Sequence, residues 1–228
     1  MTEFLKVFSD MATSFGPKLT LCLLIIGGIV YTIHTILKNY SSTIQKYLEE
    51  KLSASVKEHS KALVHRKNIT PKINKELNLL AEEIGADRAL LFEFSNGNSN
   101  LVGLPFLYHT ATSEVIKAGN APMAHHFQKV NTSILASLFE HLEHKGYFYT
   151  VDIAESRDSF ASLYYMLQPE DIKSLLLYAI YGVDDTIGFV MVASTGDKTF
   201  TREDTLPKVA CTSQIISSLL NFDRIQDK

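Results

Sequence analysis

Hydrophobic and polar positions divide this chain into segments of different character. Residues 19–37 read Leu-Thr-Leu-Cys-Leu-Leu-Ile-Ile-Gly-Gly-Ile-Val-Tyr-Thr-Ile-His-Thr-Ile-Leu, with His34 the only ionisable side chain and Lys18 and Lys38 at the borders. A helix rises about 1.5 Å per residue and the hydrocarbon core is roughly 30 Å thick, so the run is about one bilayer long. A core helix would keep a polar face, and this one barely does. The run starts late for a cleaved leader and lacks an Ala-x-Ala site. Residues 19–37 are therefore expected to form a transmembrane helix.

The flanks differ. In residues 1–18, Phe4, Phe8, Met11 and Phe15 recur at helical spacing opposite Glu3, Lys6 and Asp10. Such a stripe suits a helix lying in the membrane interface or packing on a neighbouring subunit. Residues 38–69 form a basic helical linker without Gly or Pro, with Ile44, Leu48, Leu52 and Val56 every fourth position. A four-residue repeat drifts around a straight helix, which makes an imperfect coiled-coil seam. The linker is either a solvated stalk or a self-association helix with affinity for anionic headgroups.

Residues 70–222 alternate between helix and strand patterns. Thr70-Pro71 reads as a helix start, followed by Ile73, Leu77, Leu80 and Ile84, with Gly85 placed to end the helix. Arg88–Ser95 is a buried-strand pattern, and Asn96-Gly97 after it is a hairpin signal into a strand over 105–113. Asn131 can cap a helix through His144, closed by Gly146, before a short strand over Tyr147–Asp152. Pro169–Ser174 reads as a helical turn. Ser174–Tyr181 and Thr186–Thr195 read as strands joined by Gly-Val-Asp-Asp, and Thr201 with Asp204 can cap a last helix to Phe222. Hairpin-linked strands imply an α+β domain with an antiparallel sheet flanked by helices. Residues 223–228 are a tail.

Composition narrows the function classes. A net charge of -3 without a basic block lacks the footprint of a nucleic-acid binder. Cys22 and Cys211 cannot build a disulfide framework or a Cys/His metal site, and no Walker loop, G-x-S-x-G or H-E-x-x-H occurs. The sequence calls for no cofactor, no metal and no catalytic residue. His141 and His144 share a helix face, which is a solvated polar face rather than a metal pair. Lys6 and Lys18 precede the apolar run, whereas Lys38, Lys46, Lys51 and Lys57 follow it, so the positive-inside rule leans toward a cytoplasmic C-terminal domain.

The stretch from Leu79 through Glu82-Glu83-Ile84-Gly85-Ala86-Asp87-Arg88 to Phe94-Ser95-Asn96-Gly97 resembles the opening helix and first strand of GAF domains. Ser174–Tyr181, Ile187–Val192 and Lys198–Asp204 resemble their closing strands and last helix, so the likeness spans residues 70–222. Of the Asn-Lys, Phe, Asp-Glu signature of cyclic-nucleotide-binding members, Lys198, Phe200 and Asp204 fit, but Asp197 and Thr205 replace the Asn and Glu. The sheet-proximal helices offer no cysteine for a covalently held bilin. In architecture, a short N-terminal segment, one membrane helix, a charged helical connector and a terminal GAF-like domain are also similar to the holins of T-even phages. In that family the soluble domain is periplasmic and binds an antiholin, opposite to the charge lean.

Two functions follow from these readings. The first is a holin that oligomerises and permeabilises the inner membrane under control of a regulatory protein. The alternative is a single-pass, membrane-tethered GAF-like sensor or adaptor that binds a small ligand and signals to a separate partner. Both are non-enzymatic, both engage membrane lipid, and both suit a homo-oligomer. The candidate ligand or partner contacts are Asn96, Asn98 and Asn100 in a polar loop, His125 at a pocket mouth, and Asp152, Arg157 and Asp158 in a pocket-covering loop. Gly28 and Thr32 form a small-xxx-small pair for close helix approach, with His34 near the end of the span.

Overall fold

The structure, a computed structural model, describes residues 6–7, 9–10, 13–14, 16–99, 105–183, 185–196 and 199–226. Side chains are not described at 17–20, 23, 24, 27, 42, 98, 99, 105, 106 and 222–226. The expected stripe of Phe4, Phe8, Met11 and Phe15 lies outside the described residues. The chain forms two compact units, Met1–Val64 and His65–Lys228.

Helix α1 (Pro17–Ile84) carries the apolar run and the linker, with residues 17–64 in the first unit and 65–84 in the second. Ile25, Ile29, Val30, Ile33 and Leu37 are more than half exposed, as are Ile44, Leu48, Leu52 and Val56 of the linker. The Thr32 hydroxyl donates to Gly28 O at 2.7 Å, so the small-residue pair satisfies its own polar atom inside the helix. Among the described residues no helix is long and apolar enough to cross a membrane. Seven side chains of the Pro17–Leu37 stretch, at 17–20, 23, 24 and 27, are not among those described.

The second unit holds a six-stranded antiparallel sheet in the order β3-β2-β1-β6-β5-β4. Its strands are β1 (Arg88–Ser99), β2 (Pro105–Ile116), β3 (Val130–Asn131), β4 (Tyr147–Thr150), β5 (Ile172–Tyr181) and β6 (Thr186–Thr195). Helices α2 (Ala136–Lys145), α3 (Ala161–Leu167) and α4 (Arg202–Gln226) complete it. Both sheet faces are covered, which is why the central strands read as nearly continuous apolar runs. Successive residues still go to opposite faces. Leu90, Phe92, Leu175, Leu177, Phe189 and Met191 face one core with Leu138 of α2 and Leu163 of α3. Leu91, Leu176, Val190 and Val192 face the other with Ile73 and Leu77 of α1 and Val209 and Ile216 of α4.

Several expected boundaries move. No helix begins at Thr70-Pro71, because Pro71 lies inside α1 and the Thr70 hydroxyl donates back to Arg66 O at 2.8 Å. An interior proline costs about 3 kcal/mol. Burial of Ile69, Ile73, Leu77 and Leu80 on one face offsets that cost. Asn96-Gly97 is not the hairpin turn: β1 continues to Ser99, Asn96 pairs with Leu107, and neither residue has the positive φ that a type I′ turn requires. Pro169 sits in a short 3-10 turn (Gln168–Glu170), with β5 starting at Ile172, and α3 has no counterpart in the expected elements. Elsewhere the capping signals act as expected. Asn131 Oδ1 accepts from Ser133 N, Gly146 ends α2 with φ of 78°, and Gly182 N donates to Asp185 O across the β5–β6 turn.

Candidate functional site

The face under α2 and α3 is rich in aromatic rings. Phe92 of β1 stacks on Phe189 of β6 with centroids 4.6 Å apart, and Phe127 meets Phe92 edge-on at 5.7 Å. One step along β1, Phe94 meets Phe139 of α2 edge-on at 5.2 Å. His109 of β2 is enclosed by this group, 5.6 Å from Phe139 and 6.0 Å from Phe92. Its ring is 1% exposed, and Nδ1 is buried without a hydrogen-bond partner among the described residues. Burial pushes the His109 pKa down to about 4, so the ring is neutral near pH 7.

Beside this cluster a cleft of about 710 Å³ opens between the sheet and α2. Phe94, Leu107, Phe139, Leu142 and Ile187 give it apolar walls, while Asn96, Asn131, Thr132, Ser133, Glu143, Asp185 and Thr186 supply polar atoms. Backbone needs already engage part of that set: Asn131 Oδ1 caps the turn at Ser133, and the Thr132 hydroxyl donates to Leu107 O at 2.9 Å. Gly188 is the tightest point of the lining. A Cβ there would lie 2.0 Å from Phe92 O, so only glycine lets β6 pass β1 at this level.

A second cleft, about 880 Å³, lies beside Arg88, Asn120, Glu170 and Lys173. Arg88, Glu170 and Lys173 are paired within the fold. Arg88 Nη1 donates to Ala121 O at 2.5 Å and lies 3.9 Å from Glu114 and 3.8 Å from Glu170. Glu114 in turn accepts from the backbone N–H groups of Met123 and Ala124, and Glu170 contacts His126 Nδ1 at 2.6 Å. This network ties the 117–127 loop to β1 and to the Gln168–Glu170 turn.

The candidate contacts named from the sequence do not converge. Asn96 lines the first cleft. The side chain of Asn98 is not described, and Asn100 lies outside the described residues. His125 is exposed on a 3-10 turn (Ala124–His126), its ring 3.8 Å from that of His126. Asp152 caps the turn at Ala154 and pairs with Lys173. That hydrogen bond from Lys173, with the one from Ala154 N, holds the Asp152 carboxyl below its usual range. Arg157 lies over the Tyr164 ring at 5.8 Å and near Tyr165 Oη, and Asp158 lines a separate small cleft with Leu163. Phe200 and Thr205, from the nucleotide-type signature, serve the opposite core: Phe200 O accepts from Tyr149 Oη at 2.7 Å, and Thr205 is buried.

Among the cleft residues that sequence reading missed as contacts are Phe94, Phe139, Glu143 and Asp185. In sequence Phe139 lies within the helix after Asn131 and Asp185 in the Gly-Val-Asp-Asp turn. What unites them is the pairing of β1 with β6, which sets Phe92 opposite Phe189. No local period reports a pairing that distant in sequence.

No family model matches the chain, and no curated protein does. Solved structures do. The blue-light absorbing form of the PixJ GAF domain from Thermosynechococcus elongatus superposes with a TM-score of 0.55 at 13% identity, over 72% of this chain and 94% of that one. The second unit has a GAF-like fold. The photoproduct state of a GAF domain from Synechocystis gives a TM-score of 0.52 at 10% identity, covering 69% of this chain and 99% of that one. The likeness is one of fold.

Proposed function

We propose that this protein is a single-pass, membrane-tethered sensor or adaptor whose GAF-like domain binds a small ligand in the cleft between the sheet and α2. The observation that carries the reading is the cleft itself, on a GAF-like fold, walled by aromatic rings and edged by polar side chains. Residues 19–37 are the anchor, and the linker over 38–69 passes the ligand state to a separate partner. The exposed side chains of Ile44, Leu48, Leu52 and Val56 support self-association there, since a long isolated helix gains most of its stability from packing. Binding rather than catalysis is favoured because Asn131 and Thr132 already hold backbone atoms. The neighbours include a light-absorbing domain, but Cys211 lies on α4, which packs on the other sheet face. The holin reading rests on architecture alone, and no feature of the cleft adds to it.

The test is equilibrium dialysis of a bacterial metabolite extract against the full chain in maltoside micelles, with Ala136→Phe as the cleft-filling variant. Mass spectrometry of retained compounds should show species held by the wild type and lost in the variant. Equal retention by both would defeat the reading. A green fluorescent protein fused to the C-terminus should be bright if the domain is cytoplasmic.

A further inference from the structure

We propose that the cleft between the sheet and α2 selects ligands carrying an aromatic or apolar body and a positive charge, and rejects anions of the same shape. The inference rests on the binding reading above and adds the chemical class of the ligand. Its basis is the charge inventory of the lining. Glu143 and Asp185 are the ionisable side chains of the described lining, and both are exposed at the mouth. No lysine or arginine is among the described lining residues. Residues 98–106, whose sequence is Asn-Ser-Asn-Leu-Val-Gly-Leu-Pro-Phe, contain no ionisable group, and Asp184 beside Asp185 is acidic. Neither of these two segments brings a cation by sequence. The neighbouring His109 ring is neutral at pH 7 and adds none either.

The apolar side of the lining points the same way. Phe94 and Phe139 form an edge-to-face pair at the wall, and an aromatic face attracts a cation at close range. Asn96 and Asn131 present carbonyl oxygens or amide N–H groups to either kind of polar atom, so they do not discriminate. Selection falls to the carboxylates and the rings. An anion entering this cleft would lose hydration and meet two carboxylates, whereas an ammonium would gain both. The second cleft differs, because its Arg88 and Lys173 are cationic and already paired.

The chain contains no tryptophan, so indole fluorescence from a probe is read without a tryptophan background. The full chain in uncharged maltoside micelles would be titrated into tryptamine, 3-methylindole and indole-3-acetate at pH 7.5 and low salt, following fluorescence anisotropy. The expected result is a tryptamine Kd about tenfold or more below that of indole-3-acetate, with 3-methylindole between them. The double variant Glu143→Gln/Asp185→Asn should shrink the preference between tryptamine and indole-3-acetate to within about twofold. Equal binding of cation and anion, or a preference that survives the double variant, would overturn charge selection and leave cleft binding standing. No binding by any probe, or equal binding to Ala136→Phe, would overturn both.

Discussion

The two faces of the sheet are built from different materials. The face covered by α1 and α4 is mainly aliphatic, with Ile73, Leu77, Leu80, Val190, Val192 and Ile216 essentially without exposure. The face covered by α2 and α3 packs Phe92, Phe127, Phe148 and Phe189, keeps the neutral His109 among them, and leaves the cleft beside Phe139. Branched aliphatic side chains interdigitate and leave few voids. Flat rings held edge to face leave gaps at their borders, and short 3-10 turns cover them less completely than long helices do. The same sheet thus has one face suited to stability and one suited to binding.

The strand crossing that joins the faces is where the largest effect is expected. Gly188→Ala would drive a Cβ into Phe92 O, at 2.0 Å in the present geometry. β1 and β6 would have to part. A loss of about 4 kcal/mol is expected, with both faces failing together in urea unfolding followed by near-ultraviolet circular dichroism. A variant that unfolds at the wild-type midpoint would mean the strands slide to admit a side chain.

Separate truncations should pull the faces apart. Leu77→Ala removes a fully buried side chain from the aliphatic face and should cost about 3 kcal/mol. Its folded fraction should bind probes with wild-type affinity. Phe139→Ala, on a partly exposed ring at the cleft wall, should cost about 1 kcal/mol while weakening probe binding severalfold. Equal changes in affinity from the two variants would erase the distinction between the faces.

This contrast was only half legible in the sequence. Short apolar runs placed β1, β5 and β6, and helical spacing placed the Ile73–Ile84 turns that cover the aliphatic face, because each is a local signal. Turn chemistry gave the Asn131 cap, the Gly146 stop and the Gly182–Asp185 turn for the same reason. Pro71 and Asn96-Gly97 misled because tertiary contacts outweigh local preference: Ile69 and Ile73 hold the helix through the proline, and the Asn96–Leu107 pairing extends the hairpin past the glycine. Asp152, Arg157 and Asp158 had the right chemistry for a site, but the fold engages them with Lys173, Tyr164 and a separate small cleft. The cleft depends on which strands meet, and that is set by the whole sheet.

His109 gives the faces different responses to pH. Unfolded, the ring titrates near 6.5, and folded only near 4, since burial disfavours its charged form. Between those values the unfolded state binds more protons, so stability falls as pH drops through the window and this contribution levels off below about 4. The full loss is about 3 kcal/mol. His109→Phe should abolish the loss between pH 6.5 and 4. Acid sensitivity below that range should persist. Burial by itself would raise the Asp87 carboxyl, but hydrogen bonds from Thr195 and Ser194 hold it below its usual value. The stability it supplies disappears only as pH falls through that lowered value. An unchanged profile in His109→Phe would remove the histidine from the account.

The smallest expected effect is the most specific, because Asn131 serves both stability and the cleft. Its side chain caps the turn that leads into α2, and the same residue lines the cleft. Asn131→Ala should cost about 1 kcal/mol, as loss of an N-cap usually does, and should alter probe binding as well. Asn131→Asp keeps an acceptor for Ser133 N and places a negative charge at the helix entrance, so stability should hold within about 0.5 kcal/mol. That charge also enters the cleft. If the lining selects cations, Asn131→Asp should tighten tryptamine and weaken indole-3-acetate, moving the two affinities in opposite directions while the unfolding midpoint stays put. Parallel movement of both affinities would instead trace to a shift of α2, and the binding face would then be no more independent of the fold than the aliphatic one.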